Sequence, residues 1–345
     1  MTPTTQHLAS PVAPLSVPGV PRLVVRWLGL AALALGAVSC SSSITTLTVP
    51  VSRWPGYEFF PLAHELGLDR RHGLSLNLKS YANPQDIVHA YLRGDLQLAQ
   101  LTTVEAVDLC NRVPKRCPVV VLVLDESRGG DQVVVKRSLD SIAQLRSLPV
   151  AITPSTLGPF VLSRALARHD LTLDDVELSP MPLEAMPDAL VRGDVAAAAM
   201  FPPFSDQAIA TGKVRPLFTS REIPGEIFDI LVVDPDFLAS RRRDLVRLLR
   251  VWQDAHNEAD ERPHPAIAIM ARHEGVTEKA FRDSLKGLVF LSLTEQQPLF
   301  APDGILERNL RILREVQAYL NLLPADAPLP PIDNSIIQEA LSSEV

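Results

Sequence analysis

A seven-residue segment occurs twice in this chain, and the repeat constrains the fold more than any other feature. Residues 90–96 read AYLRGDL and residues 189–195 read ALVRGDV. In both copies a predicted helix ends and a strand begins, because Gly can adopt the left-handed conformation that closes a helix and Arg is favourable beside its negative end. The repeat therefore predicts two similar lobes.

Short apolar runs alternate with amphipathic stretches from residue 45 onward, which is typical of βαβ units and predicts an α/β fold with mainly parallel sheets. The predicted strands are residues 47–51, 74–78, 96–101, 119–124, 132–135, 150–152, 176–178, 195–200 and 229–233. The predicted helices are residues 58–66, 84–92, 104–110, 158–169, 183–190, 205–210, 235–261, 265–273, 278–285 and 305–320.

The order of these elements predicts how the chain is divided. Residues 46–125 and 229–345 form lobe 1, which is discontinuous and includes the C-terminal helices, and residues 126–228 form lobe 2. Two crossovers then join the lobes, near residues 124–126 and 228–230. We expect them to act as a hinge with a ligand cleft between the lobes.

Composition excludes two classes of protein. The chain has 33 Lys and Arg against 40 Asp and Glu and no block of basic residues, so no nucleic-acid partner is expected. It is 46% hydrophobic and 21% charged, which is enough to bury a sizeable core. Because no apolar run reaches the roughly 18 residues that cross a bilayer, a membrane channel is excluded.

The first 39 residues have the pattern of an export signal. Arg22 and Arg26 precede an apolar run at residues 27–38, and small residues lead to Cys40. This ending resembles the lipobox of bacterial lipoproteins, in which the cysteine receives the lipid. It predicts a signal peptide at 1–39, lipidation of Cys40, a tether at 40–45, and a membrane-anchored protein that faces the periplasm or the exterior. The alternative is a simple signal peptide with an incidental cysteine.

Two further cysteines, Cys110 and Cys117, remain after export into a compartment that permits disulfides. We favour a disulfide between them over two buried thiols. A metal site needs more ligands, and no histidine has suitable spacing, so no metal and no cofactor are predicted.

The loops that follow the predicted strands contain the candidate ligand-binding residues. In open α/β sheets, ligands bind beyond the carboxyl ends of strands, where helix N-termini present free N–H groups. The candidates are Trp54, Gly56, Tyr57, Thr102, Thr103, Asp125, Ser127, Ser155, Thr156, Phe201 and Asp229.

Each group of candidates also has a purely structural interpretation. Trp54 and Tyr57 either form apolar walls for a ligand or lie against their own lobe, with Gly56 permitting close approach of the backbone. If they are ligand walls, they are not expected to contribute to core packing. The Thr and Ser residues either bind an anion or carbonyl or cap helices. Asp125 and its neighbours Glu126, Ser127 and Asp131 either bind a cationic group or form salt bridges across the crossover.

No set of residues for catalysis was found. The chain lacks a G-x-S-x-G motif, a phosphate-binding loop, a dinucleotide fingerprint and a cysteine free for nucleophilic attack. This favours a binding protein over an enzyme.

Residues 54–68, WPGYEFFPLAHELGL, resemble the periplasmic substrate-binding proteins of nitrate-, sulfonate- and taurine-type ABC importers, a superfamily that includes pyrimidine-precursor binders. The resemblance continues at residues 94–95, 102–105, 123–131, 156–158 and 268–276. It implies a type II periplasmic-binding-protein fold, a lipid anchor, and an ABC permease with its ATPase as partners.

The chain also departs from these relatives. Phe201-Pro202-Pro203 stands where relatives commonly have Trp-Glu-Pro, and no cluster of Arg or Lys occurs in the candidate loops, which weakens nitrate or a simple sulfonate as the ligand. The expected function is a monomeric binding protein for a small polar organic molecule of the sulfonate, taurine-like or pyrimidine-precursor class. The alternatives are a ligand-sensing lipoprotein for a membrane receptor and an enzyme of the chorismate-dehydratase type.

Overall fold

The computed structural model describes residues 44–342. The predicted signal peptide, Cys40 and most of the predicted tether therefore lie outside the described residues.

Lobe 1, as the sheets define it, contains six strands in two sheets. Strand β1 (Thr45–Val51) pairs in parallel with β2 (Leu74–Ser80). The second sheet has the order β11-β4-β10-β3, formed by β3 (Leu98–Thr102), β4 (Val119–Ser127), β10 (Phe228–Val233) and β11 (Leu288–Val289). Every residue of β3, β4 and β10 is buried, so this sheet forms the centre of the lobe.

Lobe 2 contains one five-stranded sheet of order β7-β6-β8-β5-β9. Its strands are β5 (Gln132–Lys136), β6 (Pro149–Ile152), β7 (Glu177–Pro180), β8 (Ala197–Met200) and β9 (Val214–Thr219). The chain leaves lobe 1 at the end of β4 and returns at the start of β10. Because β4 and β10 are antiparallel neighbours, the two crossovers lie side by side, with Phe228 opposite Glu126.

Helices cover both lobes. Those of the first pass through lobe 1 are α1 (Phe59–Glu65), α2 (Leu68–Arg71), α3 (Pro84–Arg93) and α4 (Thr103–Arg112). Lobe 2 contains α5 (Leu157–Ala167), α6 (Met186–Arg192) and α7 (Phe204–Ala210). The remaining helices are α8 (Pro235–Glu261), α9 (Pro263–Glu274), α10 (Glu278–Leu285), α11 (Leu293–Gln296), α12 (Ile305–Tyr319) and α13 (Ser335–Ser342). None of the helices within residues 44–342 is both long and apolar enough to span a bilayer.

The expectation of mainly parallel sheets was wrong. Strands β3, β4 and β11 join their sheet through antiparallel pairs, and β5 is antiparallel to both of its neighbours. The cause is the crossover topology, because the strand that follows each crossover runs against the sheet that it enters. Strands β9 and β11 and helices α2, α11 and α13 were not predicted, and the segment expected as a helix at 183–190 is a short 3-10 turn followed by α6.

The capping role of the repeated segment is confirmed. Gly94 and Gly193 follow the last residues of α3 and α6 with φ angles of +84° and +94°, in the left-handed region. A side chain is strained in this conformation, so glycine closes both helices at low cost.

Cys110 and Cys117 form a disulfide that ties the end of α4 to the segment leading into β4. Cys110 is fully buried. The bond links two elements of lobe 1 and lies outside the ligand cleft described below.

Candidate ligand-binding cleft

A cleft between the two lobes contains most of the residues selected from the sequence. Its inner part is almost filled by protein atoms, with room for about one water molecule, and is lined by Trp54, Tyr57, Pro84, Thr102, Glu105, Asp131, Leu157, Phe201 and Asp229. A wider adjoining part shares Pro84, Glu105, Leu157 and Phe201 and is also lined by Ser155 and by the exposed side chains of Asp86, His89 and Pro154. The two parts form one continuous cleft.

Two aromatic rings from opposite lobes meet in the inner cleft. Trp54 follows β1 in lobe 1, and Phe201 follows β8 in lobe 2. Their ring centroids are 5.4 Å apart and their planes are almost perpendicular, at 89°. This edge-to-face contact is a favourable aromatic arrangement, and it bridges the cleft. A second bridge is the hydrogen bond that the Gln85 side chain of α3 donates to the Pro154 carbonyl oxygen of lobe 2.

Two aspartates are held by the aromatic loop after β1. The Trp54 Nε1–H group donates a hydrogen bond of 3.1 Å to Asp125 Oδ2, and the Tyr57 hydroxyl donates one of 2.6 Å to Asp229 Oδ1. All four residues are buried. The other oxygen of each carboxyl group, Asp125 Oδ1 and Asp229 Oδ2, accepts no hydrogen bond from another described residue, and the two carboxyl groups are hydrogen-bonded to each other when a proton lies between them.

Strand register explains why these groups meet. Asp229 on β10 lies directly opposite Thr102 on β3 and Asp125 on β4. Residues directly opposite one another in a sheet present their side chains on the same face. Two carboxyl groups and a hydroxyl therefore stand in a row across three neighbouring strands, at the ends nearest the cleft.

The missing side chain of Gly56 allows the side chains of Asp125 and Trp54 to approach its backbone closely. A Cβ atom at this position would lie 1.7 Å from Asp125 Oδ2 and 2.8 Å from Trp54 Nε1. The space that a side chain would need is filled by the hydrogen-bonded pair of Trp54 and Asp125. The role of Gly56 in the structure is thus to accommodate that pair.

Helix α4 contributes a third carboxyl group, which the sequence interpretation missed. Thr102 caps the helix by accepting a hydrogen bond from the Glu105 backbone N–H, and Glu105 Oε2 accepts hydrogen bonds from the Thr102 backbone N–H and hydroxyl. The T-x-x-E pattern that signals this capping box is present in the sequence. It indicates a helix start and carries no sign that Glu105 lines a cleft.

The remaining selected residues have other positions. Thr103 is buried and accepts a hydrogen bond from the Phe228 backbone N–H, and Ser127 is buried and hydrogen-bonds to Ser220. Thr156 precedes α5 without a side-chain cap, and Ser155 bonds to Thr153 instead of capping the helix. Of the two crossover carboxylates near Asp125, Glu126 pairs with Arg128 at 2.9 Å and Asp131 lines the inner cleft.

Burial raises the pKa of every carboxyl group in the inner cleft. The pKa of Asp125 rises to about 8, chiefly by loss of solvent, with the hydrogen bond from Trp54 opposing the rise and the charge of Asp131 adding to it. Loss of solvent and then the charge of Asp125 raise the pKa of Asp229 well above its usual value. Asp131 reaches about 6, and Glu105 is also raised, both mainly through burial. Each group therefore holds a proton more strongly than an exposed carboxylate.

The expectation that Trp54 and Tyr57 lie apart from the core was wrong. Trp54 is 4% exposed and Tyr57 is 2% exposed, and both belong to the continuous apolar core. The chain around them forms a 3-10 turn, Pro55–Tyr57, which packs the loop onto lobe 1 and still leaves both rings at the cleft wall. The same two rings thus belong to the core and line the cleft.

Comparison with protein families and curated proteins places these features in context. The model of the NMT1-like family matches residues 44–272, a range that contains the whole inner cleft. A Brucella abortus (strain 2308) protein designated a binding protein is 20% identical over 248 residues, which cover 71% of this chain and 76% of that protein.

Solved structures share the fold. The periplasmic aliphatic sulphonate-binding protein SsuA of Escherichia coli is 15% identical, with a TM-score of 0.68 over 86% of this chain and 91% of SsuA. The ligand-binding component of an ABC-type import system from Staphylococcus aureus is 15% identical, with a TM-score of 0.71 over 87% of this chain and 100% of that one. The desulfurization enzyme DszB is 19% identical, with a TM-score of 0.62 over 86% of this chain and 99% of DszB. The predicted periplasmic-binding-protein fold is confirmed, and it is shared by binding proteins and an enzyme.

Proposed function

This chain belongs to the NMT1-like family, and from that premise we propose that it is an exported, lipid-anchored solute-binding protein that captures a small polar organic molecule between its lobes and delivers it to an ABC importer. The observation that carries the proposal is the interlobe cleft itself. It combines an apolar wall, formed by Trp54, Leu157 and Phe201, with the buried polar groups of Tyr57 and Asp229. Apolar walls with a few convergent polar groups are typical of small-molecule sites.

The position of the cleft supports a capture role. Ligand contacts with both lobes stabilise the closed arrangement, so binding and closure are coupled. Trp54 of lobe 1 and Phe201 of lobe 2 already touch, and β4 and β10 supply two adjacent strands about which the lobes can rotate. Closure is the signal by which a permease can distinguish a loaded binding protein from an empty one. We accordingly propose an ABC permease and its ATPase as partners.

Native mass spectrometry of protein purified without denaturation tests the proposed function. We expect one small molecule to be retained per chain, and small-angle scattering to show a smaller radius of gyration with it than after its removal by unfolding and refolding. Phe201→Leu should lose the retained mass, because a cleft wall is shortened. Phe218→Leu, which alters a buried ring of β9, should retain it.

Two results would contradict this function. The first is a chain that retains no small molecule and has the same radius of gyration throughout. The second is chemical conversion of the retained molecule by the purified protein, which would indicate an enzyme built on this fold.

Lipid anchoring is proposed from the sequence around Cys40 and has its own test. Cys40→Ala removes the thiol that receives the lipid. We expect the variant to appear as unprocessed or soluble protein without incorporated lipid label, whereas Cys117→Ser should remain membrane-bound. Equal lipid labelling of Cys40→Ala and the unaltered protein would exclude anchoring at this residue.

A further inference from the structure

The inner cleft is lined by acidic groups without basic ones. Glu105, Asp131 and Asp229 line it, and Asp125 lies directly behind Trp54. Among the described residues that line either part of the cleft, none is Lys or Arg. The guanidinium group of Arg128, on the nearby crossover, is paired with Glu126. No Lys or Arg of the described cleft lining therefore balances these carboxyl groups, and the histidine of the lining, His89, lies exposed in the adjoining part.

One oxygen of Asp125 and one oxygen of Asp229 accept no hydrogen bond from any other described residue. Asp229 is 2% exposed and lines the cleft, and the oxygen concerned is its Oδ2 atom. Asp125 is 0% exposed, and the oxygen concerned is its Oδ1 atom. Buried polar atoms in native proteins are nearly always hydrogen-bonded, because leaving one unpaired costs stability. In the ligand-free state a proton held between the two carboxyl groups serves this purpose, and a cationic ligand that donates hydrogen bonds would replace it.

The placement of the two aspartates is unfavourable for the fold alone. Asp125 and Asp229 are directly opposite on neighbouring strands, where two ionised carboxylates would destabilise the sheet. The ligand-free pair avoids this by holding a proton. A buried pair of carboxyl groups beside a cleft is a candidate functional site.

We propose that the cleft binds a small organic cation, a protonated amine or amidine-like nitrogen base on a flat or apolar body, with Asp229 as its direct anchor and Asp125 as the neighbouring counter-charge. This inference rests on the proposed function and names its ligand class. The flat part of the ligand lies along Trp54 and Phe201, whose ring faces also attract cations. The cation class replaces the sulfonate class that the sequence left open, since a sulfonate here would lie among carboxyl groups with no Lys or Arg in the described lining.

Affinity for such a cation is expected to increase with pH. The groups that face Asp229 are Tyr57 from the 3-10 turn, Glu105 from α4, Asp125 from β4, and Asp131 from the crossover. Without ligand, burial holds protons on this cluster, with the pKa of Asp131 at about 6 and that of Asp125 at about 8. A cation requires the ionised form, so binding releases protons and becomes tighter as pH rises through this range.

Three probes of one shape separate the possible ligand classes. Benzamidine is a flat cation, benzamide is its neutral analogue, and benzenesulfonate is a flat anion. Calorimetric titration of the refolded, ligand-free chain is expected to show benzamidine binding about tenfold tighter than benzamide, and about tenfold tighter at pH 8 than at pH 5.5, with no benzenesulfonate binding. Titration in buffers of different ionisation enthalpy should show proton release.

Asp229→Asn keeps the shape of the anchor and removes its charge. It is expected to weaken benzamidine binding by about tenfold or more and to flatten its pH dependence, whereas Asp95→Asn, on the surface beside Arg93, should change neither. If Asp229→Asn does not fold, Asp131→Asn serves as the second variant. The comparison of the three probes on the unaltered chain tests the cation class in either case.

The outcomes of this test are distinct from those of the proposed function. Equal or tighter binding of benzenesulfonate or benzamide, affinity that falls with pH, or a retained natural ligand that is anionic would overturn the cation class and leave the binding protein in place. A chain that retains no molecule and does not close would overturn the proposed function itself.

Discussion

The free energy of unfolding of the ligand-free protein is expected to fall as pH rises from about 5 to about 8, by about 1.4 kcal/mol for each pH unit over which the folded state holds one extra proton, through the carboxyl group of Asp125, which titrates coupled to Asp229. The pKa of this carboxyl group rises from 3.8 in the unfolded chain to about 8 in the folded one, mainly through burial. Between these values the folded state binds the proton more strongly. Stability is therefore greatest at low pH and is lost as pH rises towards 8.

Asp125→Asn isolates this contribution. Asparagine has the shape of the protonated aspartate and does not titrate, so the variant should match the unaltered protein near pH 5 and exceed its stability near pH 8 by about 2 kcal/mol or more. Denaturant unfolding at several pH values measures the difference. Asp95→Asn provides an exposed control that should follow the unaltered protein. An identical pH slope in Asp125→Asn and the unaltered chain would show that Asp125 does not titrate in this range.

Trp54→Ala is expected to lower the free energy of unfolding by about 3–5 kcal/mol, a range typical of removing a large buried ring. Trp54 is 4% exposed, contacts Phe201 across the cleft, and donates the hydrogen bond that satisfies Asp125 Oδ2. Its loss leaves a cavity and a buried carboxyl group without that donor. The same variant should weaken binding of any ligand held against the ring.

A second tryptophan supplies the control for this prediction. Trp252 in α8 is fully buried against Phe59 and does not line the cleft. Trp252→Phe and Trp54→Phe should both reduce the melting temperature, but only Trp54→Phe should reduce ligand affinity as measured by calorimetry. If both variants leave affinity unchanged, Trp54 is a core residue without a role in binding.

The sequence selected many of the residues that the structure brings to the cleft, because loops after strands converge in this architecture. Trp54, Tyr57, Thr102, Phe201 and Asp229 line its inner part. Their assignment to ligand binding remains a prediction. Glu105 was missed because its capping pattern has a complete local explanation, and a local pattern carries no information about which helix end faces a neighbouring lobe.

The sequence by itself determined features that depend on residues close together in the chain. The left-handed glycines that end α3 and α6, and the outer bounds of α8, which is kinked at Arg241, follow from local backbone preferences and periodic burial. Such interactions lie within a few residues of each other, and so the sequence displays them directly.

Only the tertiary structure decided what these elements place side by side. Trp54 meets Asp125 across 71 positions of sequence and Tyr57 meets Asp229 across 172. Asp229 stands opposite Asp125 because β10 returns from lobe 2 and enters the sheet antiparallel to β4. The pairing of strands and their register are set by the summed burial of distant segments, to which no single short segment of sequence corresponds. The row formed by Asp125, Asp229 and Thr102 arises from that register, and the proposed preference for a cation depends on this row.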